Sequence, residues 1–174
     1  MANSESLAQQ AYDLGYKYEQ TARGCGQCLL AAVLDTLKLE RNEMFQSATA
    51  LAGGVGLLGD GCCGTYLCGV MILGDKVGRS RENLADKEGH RFKTYALTAE
   101  YHRRFIQEYG TVTCRDIQAK TMGRGYFIAD KDEMAKFEEA GGHFDKCPEV
   151  VGKAAKWMIE LLDENNMLEP PDSK

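Results

Sequence analysis

The sequence is short of positive charge, of histidine and of long apolar runs, and each shortage removes a class of function. The formal net charge is -5 over 174 residues. No basic field is there to attract a phosphate backbone, so no nucleic-acid partner is expected. Where basic residues do cluster, at Arg79 with Arg81 and Arg103 with Arg104, the acids Glu82, Glu100 and Glu108 stand beside them and the groups read as solvated helix faces. The longest apolar runs, residues 28–34 and 66–73, fall far short of the roughly 20 residues that span a bilayer, so no membrane association is expected either. The opening residues Met1-Ala-Asn-Ser-Glu5 lack a basic stretch followed by an apolar one, which predicts no signal peptide and a cytoplasmic protein. Without a C-x-x-C-H motif, covalent haem is not expected. Ser/His/Asp patterns, paired catalytic carboxylates and phosphate loops are absent as well.

What the chain does contain is helical periodicity. Hydrophobic content of 44% beside 27% charged residues suits one ordinary globular domain. Leu7, Ala11, Leu14 and Tyr18 define a first helix, and Leu30, Val33, Leu34 and Leu37 a second that opens near Gly24-Cys25-Gly26. A third is predicted from an Asn42 cap to a stop at Gly53. A glycine-dense stretch over 53–64 then leads into a helix through Leu67, Val70, Met71 and Val77. The next helix is long, with Phe92, Tyr95, Ala99, His102, Phe105 and Tyr109 on one face and Gly110 as its stop. Thr113-Cys114 opens a short helix, Asp130 with Glu133 makes a capping box, and Cys147-Pro148 opens the last helix. Only residues 125–129 are candidates for a strand. The expectation is an all-α, single-domain helical bundle over 1–168 with a Gly/Cys-rich loop, followed by a frayed, disordered tail at 169–174.

Seven cysteines, Cys25, Cys28, Cys62, Cys63, Cys68, Cys114 and Cys147, carry the functional signal. A reducing cytosol argues against structural disulfides, and an odd count argues against full pairing, so the set points to metal or redox chemistry. Most of the cysteines fall within a turn of a predicted helix start. There, unpaired N–H groups and the positive end of the helix dipole favour thiolate over thiol. Four such starts meeting at one point would make a cofactor pocket. The spacing C-x2-C, x33, C-C-x4-C, x45, C, x32, C has neither the compact ligand run of ferredoxins nor the second C-x2-C of a zinc ribbon. Cys25-Gly-Gln-Cys28 follows a helix where a thioredoxin-type site needs a strand. It also lacks the nearby histidine of alkylhydroperoxidase-type sites.

The segment Gly61-Cys-Cys-Gly-Thr-Tyr-Leu-Cys-Gly-Val-Met-Ile-Leu-Gly74 resembles the CGAxxG segment of the C-GCAxxG-C-C family of redox-active proteins. Cys28-Leu-Leu-Ala-Ala, Phe105-Ile-Gln-Glu-Tyr-Gly-Thr-Val-Thr-Cys114-Arg and Cys147-Pro-Glu-Val-Val match further family anchors in the same order. The resemblance implies that Cys28, Cys63, Cys114 and Cys147 are the family cysteines and the ligands of a bound metal centre. Gly61 and Gly64 would then flank the cofactor. The family is similar to split-Soret cytochromes c, dimeric proteins with an iron–sulfur centre, which implies a homodimer. Thr65 replaces the family alanine, Cys68 replaces its last glycine, and Cys25 and Cys62 are extra, so Cys25, Cys62 and Cys68 are candidate substitute ligands.

Three functions are open on this basis. The first is electron transfer through an iron–sulfur cluster, 2Fe-2S or 4Fe-4S, with an unidentified redox partner protein. The second is a metal-free thiol–disulfide oxidoreductase using Cys25/Cys28 or Cys62/Cys63, and the third is a zinc or soft-metal thiolate module. Gly54-Val-Gly-Leu-Leu-Gly59 matches G-x-G-x-x-G but follows a helix, and Arg79 sits near the expected acid, so a dinucleotide site is rejected. Its glycines are expected to permit close backbone approach beside Cys62 and Cys63. Of the histidines, His90, His102 and His143, the last lies four residues before Cys147 and is the one candidate ligand or proton donor.

Overall fold

The computed structural model describes residues 4–168; the expected tail at 169–174 lies outside the described residues. Eight α-helices are found among them: α1 Ser4–Thr21, α2 Cys25–Leu37, α3 Asn42–Ser47, α4 Gly64–Val77, α5 His90–Tyr109, α6 Cys114–Met122, α7 Lys131–Glu139 and α8 Cys147–Glu164. A 3₁₀ turn, Thr49–Leu51, follows α3, and a π turn, Gly142–Lys146, leads into α8. The described residues form no strand; one isolated bridge joins Cys62 and Thr113, and the 125–129 stretch is loop. The all-α expectation therefore holds.

The bundle is organised around α8, whose buried residues Val151, Ala155, Met158 and Leu162 recur at helical spacing. Against it lies α1, and their seam is made of small residues. Gly15 lies so close to α8 that a Cβ on it would stand 3.2 Å from Val151 Cγ1 and 3.4 Å from Ala155 Cβ, and Gly152 lies against Tyr12, its would-be Cβ 3.0 Å from the ring. Leu7, Leu14 and Tyr18, the stripe read from the sequence, flank this seam and are only partly buried. The apolar α2 fills the space between α1, α4 and α8, burying Leu29, Leu30 and Val33 completely. On the far side, α5 contributes an aromatic row in which Tyr101 and Phe105 are fully buried and ring centroids pack at 5.3 Å.

Several local expectations are corrected. The third helix ends at Ser47, not Gly53, and is capped by Arg41 with no side-chain hydrogen bond, so Asn42 is its first residue and not its cap. On α5 the buried stripe is Leu97, Tyr101, Phe105 and Tyr109. Phe92 and Tyr95 are exposed and lie off that stripe. Asp130 caps α7 by accepting from the Asp132 and Glu133 amides, but Glu133 turns to Arg124 and Lys136 in place of closing the box.

Candidate functional site

Four helices begin around one cavity of about 230 Å³. Cys25 is the first residue of α2, Cys114 of α6 and Cys147 of α8, and Cys63 is the N-cap of α4. All four line the cavity. The α4 and α6 starts are tied by three backbone bonds: the Cys63 amide donates to Val112 O at 2.8 Å, that of Cys114 to Gly61 O at 3.0 Å, and that of Arg115 to Gly59 O at 2.9 Å. The starts of α2 and α4 meet because Gly64 has no side chain. A Cβ there would lie 2.6 Å from Leu51 O and 3.0 Å from Cys25 Sγ. Gly61 is equally tight, with its would-be Cβ 2.7 Å from Gly54 O. Within the 54–59 stretch, Gly54 does permit a close approach, its would-be Cβ 2.8 Å from Cys114 Cβ and Gly59 Cα, whereas Gly56 meets nothing within 4 Å.

The stretch before Cys62 reaches this geometry through a left-handed turn. Residues 53–57 all have positive φ, including Val55 at 66° and Leu57 at 67°, a conformation that costs a non-glycine residue roughly 1–2 kcal/mol. The turn carries Leu57 into the cavity wall and directs the Gly53 amide at the Cys25 sulfur. Ile117, Ile128, Met134 and Phe137 make much of the remaining wall apolar, while Glu19, Arg23, Thr65, Gln118, Thr121 and His143 are its charged or polar members.

All seven cysteines are free thiols. Cys25 lies within hydrogen-bonding reach of the Cys63 thiol; that bond, with burial, raises the Cys25 proton affinity well above the ordinary thiol range. Burial pushes Cys114 up to about 12, and it lifts Cys147 well above its usual range, with Glu19 adding to both. The helix starts were expected to favour thiolates. Desolvation outweighs the dipole at Cys114 and Cys147, and the Cys63 contact together with burial does so at Cys25, so these three thiols hold their protons until a cation or an oxidant enters.

The other predicted residues lie outside this ring. Cys28, 3% exposed, turns its thiol to Arg23 O at 3.1 Å and toward Glu19. Cys62 is half-buried in the bridge to Thr113. Cys68 is fully buried and packs on Gly26, whose would-be Cβ stands 2.7 Å from its Sγ; burial raises Cys68 to about 12. The structure therefore brings together Cys63, Cys114 and Cys147 from the family set and adds Cys25, with Cys28 one turn behind. Among the described residues no three Cys, His, Asp or Glu side chains converge on a single-ion position, the arrangement a zinc module asks for. His143 lines the cavity, its Nδ1 2.8 Å from Glu138 Oε1, which also takes Arg23 at 3.2 Å. His102 meets the Tyr66 ring edge to face, centroids 5.7 Å apart.

Sequence reasoning missed two cavity residues. Gln118 donates from Nε2 to Cys114 Sγ at 3.6 Å and accepts the Tyr126 amide on Oε1. Glu19 is 2% exposed, and burial pushes its carboxyl up to about 7 despite the Cys28 thiol and Arg23, which draw it down. Its signal was present: Glu19 continues the buried series Ala8, Ala11, Gly15 at helical spacing, an acid on the packed face of α1.

An all-helical scaffold thus gathers four thiols from distant parts of the chain at one cavity. The profile of the family described as "Putative redox-active protein (C_GCAxxG_C_C)" matches residues 24–161, and the chain belongs to that family. No curated protein and no solved structure matches it. No helix among the described residues is long and apolar enough to cross a membrane.

Proposed function

We propose that the protein transfers electrons by means of an iron–sulfur cluster held by Cys25, Cys63, Cys114 and Cys147. The observation that carries this reading is the meeting of four helix-start thiols in one buried cavity. Thiolates are the donors that iron–sulfur clusters use, and a cluster spreads its irons. Its ligands therefore need not converge within the roughly 2.3 Å sphere of a single ion. A cluster bound there would supply a one-electron couple.

The chain's own residues do the rest. Ile117, Ile128, Met134 and Phe137 keep water from the sulfurs. The Gly53 amide and the Gln118 side chain donate to Cys25 and Cys114, and such donors to sulfur tune a potential. Each protonated thiol gives up its proton on ligation, so loading strengthens as pH rises. In this reading the compartment is reducing, as the cytoplasm is, and the partner is another redox protein. A homodimer follows from the family resemblance alone.

The contact between Cys25 and Cys63 favours a second reading, a metal-free dithiol. The pairs expected from sequence alone are Cys25/Cys28 and Cys62/Cys63, but the thiol that hydrogen-bonds Cys25 is Cys63. These two would form an S–S bond, passing two electrons and two protons to an acceptor disulfide that leaves as two thiols.

Anaerobic reconstitution with ferrous iron and sulfide separates the readings. The cluster reading predicts bound iron and acid-labile sulfide with visible absorption that bleaches on reduction. A colourless protein in which mild oxidation joins Cys25 to Cys63 would overturn it in favour of the dithiol.

A further inference from the structure

The cavity contains one carboxylate, and part of it is without a partner. Glu19 belongs to the last turn of α1, is almost fully buried, and faces the thiols. Its Oε2 has no hydrogen-bond partner; the Cys28 thiol reaches the carboxyl from α2, and Oε1 stands 3.9 Å from His143 Nε2, too far for a hydrogen bond. The groups able to neutralise it are committed elsewhere. Arg23 pairs with Glu138 and is largely solvent-facing, and His143 is anchored through Nδ1 to that same Glu138. Burying an unpaired carboxyl oxygen is costly, and such groups in folded proteins usually mark an ion, a water or a functional contact. Here the uncompensated oxygen shares its cavity with Cys25, Cys63, Cys114 and Cys147 and acts electrostatically on three of them, Cys25, Cys114 and Cys147.

From this placement we infer that Glu19 is an oxygen donor to iron in the bound group, so that the donor set is mixed, thiolate with one carboxylate. The inference rests on the cluster reading and specifies it. A hard carboxylate oxygen among soft thiolates marks one iron as different from its neighbours. Cys28, which touches Glu19 from behind, is outside the donor set.

The test compares wild type, Glu19→Gln, Glu19→Leu and Cys28→Ser, each reconstituted anaerobically with ferrous iron and sulfide. Mössbauer and electron paramagnetic resonance spectra are recorded, with the rate of iron loss to a chelator. Circular dichroism of the metal-free proteins establishes that each variant is folded. Glutamine keeps the shape of the side chain, and leucine removes both oxygens from an apolar-walled cavity. The expected result is an altered signal from one iron site in both Glu19 variants, with iron lost at least tenfold faster, while Cys28→Ser keeps the wild-type spectrum. Folded Glu19 variants with wild-type spectra and wild-type iron retention would overturn the inference and leave the cluster reading standing. A wild-type protein that takes up no iron would overturn both.

Discussion

The seam between α1 and α8 and the cavity at the helix starts are built by opposite rules. Along the seam, small apolar residues let two helices approach closely, and every large side chain at the centre of the bundle, from Leu29 to Met158, is fully buried. At the cavity the same chain accepts left-handed Val55 and Leu57, buried thiols and an unpartnered carboxyl oxygen. Glu19 belongs to both regions, continuing the apolar face of α1 into the cavity wall. Violations of local rules that collect at one place mark function, because packing elsewhere supplies the stability that holds them.

The contrast can be broken from either side. The largest effect is expected at the centre of the bundle. Met158→Ala, at a fully buried position, should destabilise the fold by about 2–5 kcal/mol in denaturant unfolding, while the folded protein keeps its iron-binding capacity. Next comes Glu19. Its carboxyl is raised by burial from 4.5 to about 7, so the folded state holds the proton more tightly than the unfolded state. The resulting stabilisation of the metal-free protein is complete below about pH 4.5 and lost as pH rises through about 7. It amounts to about 3 kcal/mol. Unfolding measured across that range should show the decline in wild type and a flatter profile in Glu19→Gln; equal slopes would contradict the assignment. The smallest effect is in the turn. Val55→Gly relieves a left-handed β-branched residue and should stabilise by about 1 kcal/mol, read as a higher thermal midpoint.

Much of this fold was legible because helix periods and glycine stops are local. Gly110 and Gly123 end α5 and α6 in left-handed conformations, and Pro148 opens α8, as their residue types suggest. The phase of α5 was less legible. Phe92 and Tyr95 share an aromatic spacing with Phe105, but only neighbours decide which aromatics are covered. Nor does a sequence announce the left-handed turn at 53–57, because valine and leucine adopt that conformation only when the surrounding backbone imposes it. Proximity to helix starts pointed to Cys63, Cys114 and Cys147, and these three line the cavity. Choosing between Cys25 and Cys28 needs the rotation of α2, which turns the first thiol into the cavity and the second toward Arg23 and Glu19. The raised thiol proton affinities were hidden for a related reason: a helix dipole is read from the chain, whereas burial comes from segments far away in it.

Iron content across single Cys→Ser variants tests the central claim most directly. After anaerobic reconstitution, serine at Cys25, Cys63, Cys114 or Cys147 should each cut bound iron and sulfide severely, while serine at Cys28, Cys62 or Cys68 should leave them near the wild-type level. Full iron retention in Cys25→Ser together with loss in Cys28→Ser would contradict the account, as would full retention in any of the other three cavity variants.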